Sequence, residues 1–150
     1  MKPTDQLVVQ KYLHKPHLID NFKYDLRVYV IMTGVNPLRV YVYKDGLARF
    51  ATAEYEKPSD KNCKNLFMHL TNYAINKESE NFVQSTKNNE DVASKRSMLN
   101  VLEGIGIDYG DEALDKLKLD IYDLIIKSLS MATSQVSHLI RSCHADDAEN

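Results

Sequence analysis

The alternation in Lys23-Tyr24-Asp25-Leu26-Arg27-Val28-Tyr29-Val30 constrains what this chain can fold into more than any other stretch. Successive side chains of an extended strand point to opposite faces, so Lys23, Asp25, Arg27 and Tyr29 share one face and Tyr24, Leu26, Val28 and Val30 the other. The second set needs a core to lie on. The first places Lys, Asp and Arg side by side, which suits a charged ligand and equally suits a solvated sheet face of alternating charge.

The flanking residues extend the strand reading. Gly34, Asn36 and Pro37 carry turn chemistry and close a strand running roughly from Lys23 to Met32. Leu38 to Tyr43 is a second strand, and Asp45-Gly46 is a short hairpin signal that sends the chain back through a third, Leu47 to Thr52. An antiparallel meander is expected, with Arg49 two residues into the return strand. Upstream, Leu7 to Leu13 is an apolar, β-branched run read as a short strand that Pro16 ends. Downstream, Tyr55 to Asn65 is polar and loop-like, Leu66 to Asn72 is a compact apolar segment carrying His69, Thr71 and Asn72, and 78–91 is expected to be a mobile loop anchored by Phe82-Val83.

The last third changes period. Met98, Leu99, Leu102 and Ile105 recur at helical spacing, with Gly104 and Gly106 as stop signals. Leu114, Leu117, Ile121, Ile125, Leu129, Ala132, Val136 and Leu139 then mark a longer helix from about Asp111 to Arg141, on the order of 45 Å if straight. Strands first and helices afterwards indicate an α+β domain.

Composition removes several classes of function. With 150 residues the chain is one domain or part of a larger one, and its 43% hydrophobic and 27% charged residues are those of an ordinary globular protein. A formal charge of −2 argues for neither a nucleic-acid binder nor a polybasic membrane protein. No apolar run approaches the roughly 18 residues of a membrane span, the first residues are not a signal peptide, and the reading is cytoplasmic. Cys63 and Cys143 lie far apart and are read as free thiols rather than as a disulfide or a zinc site. Phosphate-loop, dinucleotide, nucleophile-elbow and zinc-helix motifs are all missing from the sequence. The polar residues left on strands are Gln10, Lys23, Asp25, Arg27, Arg49, His69, Thr71 and Asn72.

Five blocks in order carry a resemblance. Val-Val-Gln-Lys-Tyr-Leu at 8–13, Lys-Tyr-Asp-Leu-Arg-Val-Tyr-Val at 23–30, Pro-Leu-Arg-Val-Tyr-Val-Tyr at 37–43, Gly-Leu-Ala-Arg-Phe-Ala-Thr at 46–52 and Met-His-Leu-Thr-Asn-Tyr-Ala-Ile-Asn-Lys at 68–77 resemble the tubulin tyrosine ligase-like family. The last block, with Asn81-Phe82-Val83, is most similar to its polyglutamylase branch. The resemblance implies an ATP-grasp ligase, of which residues 1–150 would be a partial domain from the C-terminal part of the fold, an antiparallel sheet followed by long helices. It implies that Gln10, Lys11, Tyr12 and Leu13 form an adenine hinge, that Lys23 and Asp25 lie by the ribose and phosphates, and that His69, Thr71 and Asn72 line the nucleotide site. Arg27 and Arg49 match cations near the terminal phosphate and the reacting carboxylate, for which a guanidinium's paired donors are suited.

By the same resemblance, the reaction is ATP-dependent addition of free glutamate to glutamate side chains of the acidic tubulin tails through an acyl phosphate, in a cytoskeletal or ciliary setting. Glycine or tyrosine as the added amino acid, and a non-catalytic microtubule-binding scaffold, are the alternatives. Basic residues at Lys57, Lys61, Lys64, Lys77, Lys87, Lys95 and Arg96 could meet an acidic tail or belong to a solvated loop. The family's phosphate-covering loop and its Glu-x-Asn magnesium box have no counterpart between Met1 and Asn150. The ligands for Mg²⁺ are therefore expected outside this chain, which is read as an incomplete piece that is inactive alone.

Overall fold

A computed structural model describes residues 7–86, 89 and 92–147, with side chains described as far as residue 143. Two long strands dominate. β1 (Leu18–Ile19), β2 (Phe22–Val35), β3 (Leu38–Phe50) and β4 (Lys95–Ser97) form one antiparallel sheet in that order. Two short helices, α1 (Leu66–His69) and α2 (Tyr73–Asn76), precede β4, while α3 (Met98–Tyr109) and α4 (Asp111–Asp147) follow it. The α+β expectation holds for the described residues.

β1 turns into β2 through Asp20 and Asn21, both at positive φ, which short Asx side chains tolerate. The alternation of β2 divides as its sequence predicts up to Val28, whereas Val30, expected on the core face, is exposed because the core covers only the Phe22 to Val28 part of the strand. Tyr24, Leu26 and Val28 pack with Phe22 and Ile19 against a core of Ala48, Phe50, Met98, Val101, Leu102 and Ile105, which Leu114 and Leu117 of α4 complete.

The hairpin between the long strands is made at Asn36-Pro37, whose peptide bond is cis, and not at Asp45-Gly46. β3 runs straight through Asp45-Gly46, so the two expected strands are one. Val28 pairs with Gly46 and Val30 with Val42, leaving Tyr29 alone opposite 43–45 as a bulge. The tertiary structure has another use for Asp45. Its carboxylate accepts the Gly46 N–H at 2.7 Å, the Leu99 N–H at 3.0 Å and the Ser97 hydroxyl at 3.1 Å, thereby capping the start of α3. Burial alone would raise its pKa, but these hydrogen bonds outweigh burial and hold the carboxyl below its ordinary range.

Gly46 is fixed by the same contact. A Cβ there would run into the Arg27 carbonyl oxygen and press on the Met98 sulfur. Gly46→Ala is accordingly expected to lower stability by about 1–3 kcal/mol through displacement of β2 and α3. A urea midpoint equal to that of the wild type would contradict this packing.

Three further expectations are corrected. Leu7 to Leu13 is extended but pairs with no strand among the described residues, and Val8, Val9 and Leu13 are exposed. Gly104 and Gly106 do not stop the first helix, since both lie inside α3. The stop is Gly110, at φ +87°, whose N–H bonds the Gly106 carbonyl at 2.8 Å. Gly106 instead leaves room for Leu114 of α4 to close against α3. Finally, α4 continues past Arg141 to Asp147, 37 residues in all. Only its first turns reach the core, and Leu124, Met131 and Leu139 are exposed. Among the described residues no helix is long and apolar enough to cross a membrane.

Within 78–86, Phe82 and Val83 both make contacts to the rest of the domain. The Phe82 ring meets Tyr73 edge-on, and Val83 exchanges hydrogen bonds with Ser94 through its N–H and its carbonyl. Lys87, Asn88, Glu90 and Asp91, to which the mobile-loop expectation also applied, lie outside the described residues.

Candidate functional site

The face of the sheet turned away from the core gathers most of the polar residues singled out above. Asp25 on β2 and Arg49 on β3 are direct cross-strand partners, and such partners project to the same side. Arg49 donates from Nε to Asp25 Oδ1 at 2.9 Å and from Nη2 to Oδ2, a bidentate pair. Thr71, between the two short helices, donates its hydroxyl to Asp25 Oδ2 at 2.7 Å. Burial alone would raise the Asp25 pKa; hydrogen bonds from Arg49 and Thr71, with the charges of Arg49 and Arg27, outweigh it and hold the carboxyl below its ordinary range. The same bond makes the Arg49 guanidinium harder to deprotonate.

Two residues earlier on the strand, Lys23 donates to the His69 carbonyl at 2.9 Å and lies 4.7 Å from the centre of the Tyr12 ring. The Tyr12 hydroxyl bonds His69 Nδ1 at 2.7 Å, while His69 Nε2 lies 3.1 Å from the Asn62 carbonyl. With both ring nitrogens engaged, His69 is a clamp. It fastens the extended segment through Tyr12 to the α1 end, beside Lys23.

The segment bearing His69 and Thr71 is itself held from behind by Asn76, which is 1% exposed. Its Oδ1 accepts the Thr52 N–H at 3.0 Å and the Thr52 hydroxyl at 2.9 Å, and its Nδ2 donates to the Leu70 carbonyl at 2.8 Å and the Asn72 carbonyl at 3.1 Å. The amide thus ties the end of β3 to the 70–76 turn. The sequence reading passed over this residue; its only signal was an Asn one helical turn after Asn72.

The expected residues therefore fall into three groups. Tyr12, Lys23 and His69 form one contiguous cluster, and Asp25, Arg49 and Thr71 the next. Arg27 lies on the same face as Asp25, exposed, and its guanidinium has no hydrogen bond or ion pair among the described residues. Gln10, Lys11 and Leu13 are exposed on the extended segment, and Asn72 contributes only its carbonyl to the contacts above. A cavity of about 640 Å³ opens between the sheet and α4, with Asp25, Arg27 and Arg49 at its polar side and Ile121, Ile125 and Leu129 at its apolar side. Its volume is within the range of small-molecule sites.

Among the described residues no three His, Cys, Asp or Glu side chains are grouped to hold a metal ion. Asp25, the carboxylate on this face, has both oxygens engaged by Arg49 and Thr71.

The arrangement is that of an α+β domain whose sheet presents Lys23, Arg27 and Arg49 on one face, beside the segment that Tyr12 and His69 clamp. The chain belongs to the tubulin-tyrosine ligase family, whose model matches residues 1–147. It is 43% identical over 151 residues to a probable beta-tubulin polyglutamylase of Tetrahymena thermophila, covering 100% of this chain and 12% of that protein. It is 47% identical over 146 residues to the tubulin polyglutamylase TTLL13 of Homo sapiens (95% of this chain, 17% of that protein) and 41% identical over 143 residues to the tubulin polyglutamylase TTLL7 of Xenopus tropicalis (95% and 15%). The chain thus spans between 12% and 17% of the length of these relatives.

Proposed function

We infer that this chain forms the nucleotide- and substrate-facing sheet of an ATP-grasp ligase that adds glutamate to glutamate side chains of tubulin tails. The observation that carries the reading is the row Lys23, Arg27 and Arg49 on one sheet face, ordered by Asp25 and Thr71 and flanked by the Tyr12–His69 clamp. The relatives named as tubulin polyglutamylases support the choice of tubulin and of glutamate.

In this reading the extended segment 10–13 offers main-chain donors and acceptors to the adenine edge. Those groups are uncommitted because the segment pairs with no strand among the described residues. Lys23, anchored to the His69 carbonyl, supplies a positive charge toward the ribose and phosphates. Arg27 faces the terminal phosphate with its donors unspent, and Arg49, preset by Asp25, holds the reacting carboxylate with its remaining N–H groups. A tail carboxylate oxygen attacks the γ-phosphorus and ADP departs. The glutamate amine then attacks the acyl carbon, phosphate leaves, and an amide remains after loss of a proton. Mg²⁺, when bound with ATP, neutralises phosphate charge; with Asp25 engaged on both oxygens, the described residues do not fit the ion, and no step here depends on them for it.

Thermal melting with Mg-ATP tests the reading. A nucleotide at 100 times its dissociation constant adds about 2.7 kcal/mol, a rise of roughly 5–10 °C for a chain of this size. Lys23→Ala and Arg27→Ala are expected to remove most of that rise. An unchanged melting temperature with ATP would count against nucleotide binding and for a scaffold role.

A further inference from the structure

Strand β4 places beside Arg49, at the margin of the cavity described above, a cation that the reading above does not use. Lys95 is the direct cross-strand partner of Arg49, which is in turn the partner of Asp25. Asp25, Arg49 and Lys95 therefore form one rank across three strands on the same face, each about 5 Å from the next. Its neighbour Arg96 pairs with Ala48, a core residue, and so lies on the opposite face. There Arg96 is fully occupied: it bonds Asp20 at 3.0 Å, donates to the Ala93 carbonyl at 3.1 Å and covers the Phe50 ring.

Lys95 has none of these ties. Its Nζ stands 3.4 Å from the centre of the Tyr73 ring and makes no hydrogen bond or ion pair among the described residues. The ring attracts the ammonium from below without using up its N–H donors. Tyr73 is positioned for this by the Phe82 ring at its side and by Asn76, which holds the turn it begins. In the same rank the charge of Arg49 is largely answered by Asp25. The rank thus carries one carboxylate and two cations, so that beyond the Arg49 donors assigned above it holds a further charge at Lys95 with no hydrogen bond or ion pair among the described residues.

The geometry points to Lys95 as a specificity-determining residue that binds a carboxylate of the incoming amino acid. The substrate class is a dicarboxylic amino acid, whose side-chain carboxylate lies on Lys95, next to the Arg49 that holds the reacting tail carboxylate. This rests on the ligase reading above and adds to it a residue that distinguishes glutamate from glycine or tyrosine. A neutral side chain would leave a partly buried ammonium without its partner, a source of discrimination.

Steady-state ligation by the protein that carries this chain, with glutamate and glutamine compared as the added amino acid, tests the assignment. The wild type is expected to prefer glutamate. Lys95→Ala should raise the KM for glutamate about 10–100-fold, leave kcat and the KM for ATP within about threefold, and abolish the preference over glutamine. Lys95→Arg should restore most of the preference, and Tyr73→Leu should weaken it less than Lys95→Ala does. A glutamate-to-glutamine preference unchanged in Lys95→Ala overturns the assignment while leaving the ligase reading intact. A wild type that neither ligates nor is stabilised by ATP overturns both. Should Lys95→Ala melt far below the wild type, Lys95→Gln, which keeps the aliphatic stem and removes the charge, gives the decisive comparison.

Discussion

Asn76→Ala is expected to destabilise the chain by about 2–4 kcal/mol, the largest effect of any single side-chain truncation in the site region. The side chain is small, so lost apolar burial cannot account for such a figure. The cost comes from the partners left behind: the Thr52 N–H and hydroxyl lose their acceptor in a buried place, and the Leu70 and Asn72 carbonyls lose their donor. Asn76→Asp should fare no better, because a carboxylate cannot donate to the Leu70 and Asn72 carbonyls and would face them with like charge. Urea denaturation of the three proteins checks this. A midpoint for Asn76→Ala within error of the wild type would show that the amide is not the tie between β3 and the 70–76 turn.

Asp25→Ala is expected to cost about 2 kcal/mol, since it leaves the Arg49 guanidinium without its bidentate partner while the arginine side chain is only 19% exposed. The accompanying pH dependence has a definite sign. The folded-state pKa of Asp25 lies below the ordinary aspartate value of 3.8, so its contribution is fully present above that value and is lost as pH falls through the lower, folded pKa. Asp45 titrates in the same direction, and the wild type alone would not separate the two. The difference between wild type and Asp25→Ala does separate them: it should be constant from pH 7 to about pH 5 and shrink below about pH 4. A difference that grew on acidification would reverse the assignment of Asp25 as the buttress of Arg49. A double-mutant cycle with Arg49→Ala should recover most of the cost as coupling energy.

Which features could be read in advance follows from how local their causes are. The two faces of β2 were legible because the period of a strand is a property of neighbouring residues, and the long helix was legible because its apolar stripe recurs for several turns. The Asp45-Gly46 error has the opposite origin. Asp-Gly favours a tight turn when nothing else competes, but three donors from the β3–α3 junction claim Asp45, and the Arg27 carbonyl claims the space that only Gly46 leaves. Ser97, Leu99 and Arg27 are all distant in sequence from Asp45-Gly46. β4 was unreadable for a similar reason, because Lys95-Arg96-Ser97 is too short and polar to show a strand signal and exists through pairing with β3.

At the site, the charged row on β2 was foreseen, but the partner of Asp25 was not. The partner is Arg49, which only the hairpin register could reveal. The hydrogen bonds that engage both ring nitrogens of His69, to Tyr12 and to the Asn62 carbonyl, and the bond from Lys23 to its own carbonyl, likewise come from the tertiary fold and not from its neighbours in sequence.

The mismatch opposite Tyr29 has a consequence for how this hairpin can vary. Because residues 43–45 stand against a single residue, β3 carries a surplus of two, an even number, and its inward and outward positions stay in phase on both sides of the irregularity. Removing one residue there would turn Arg49 into the core or swing the hairpin tip over, whereas removing two would leave every side chain facing as it does now. Length changes at this point of the strand are therefore tolerable only in pairs.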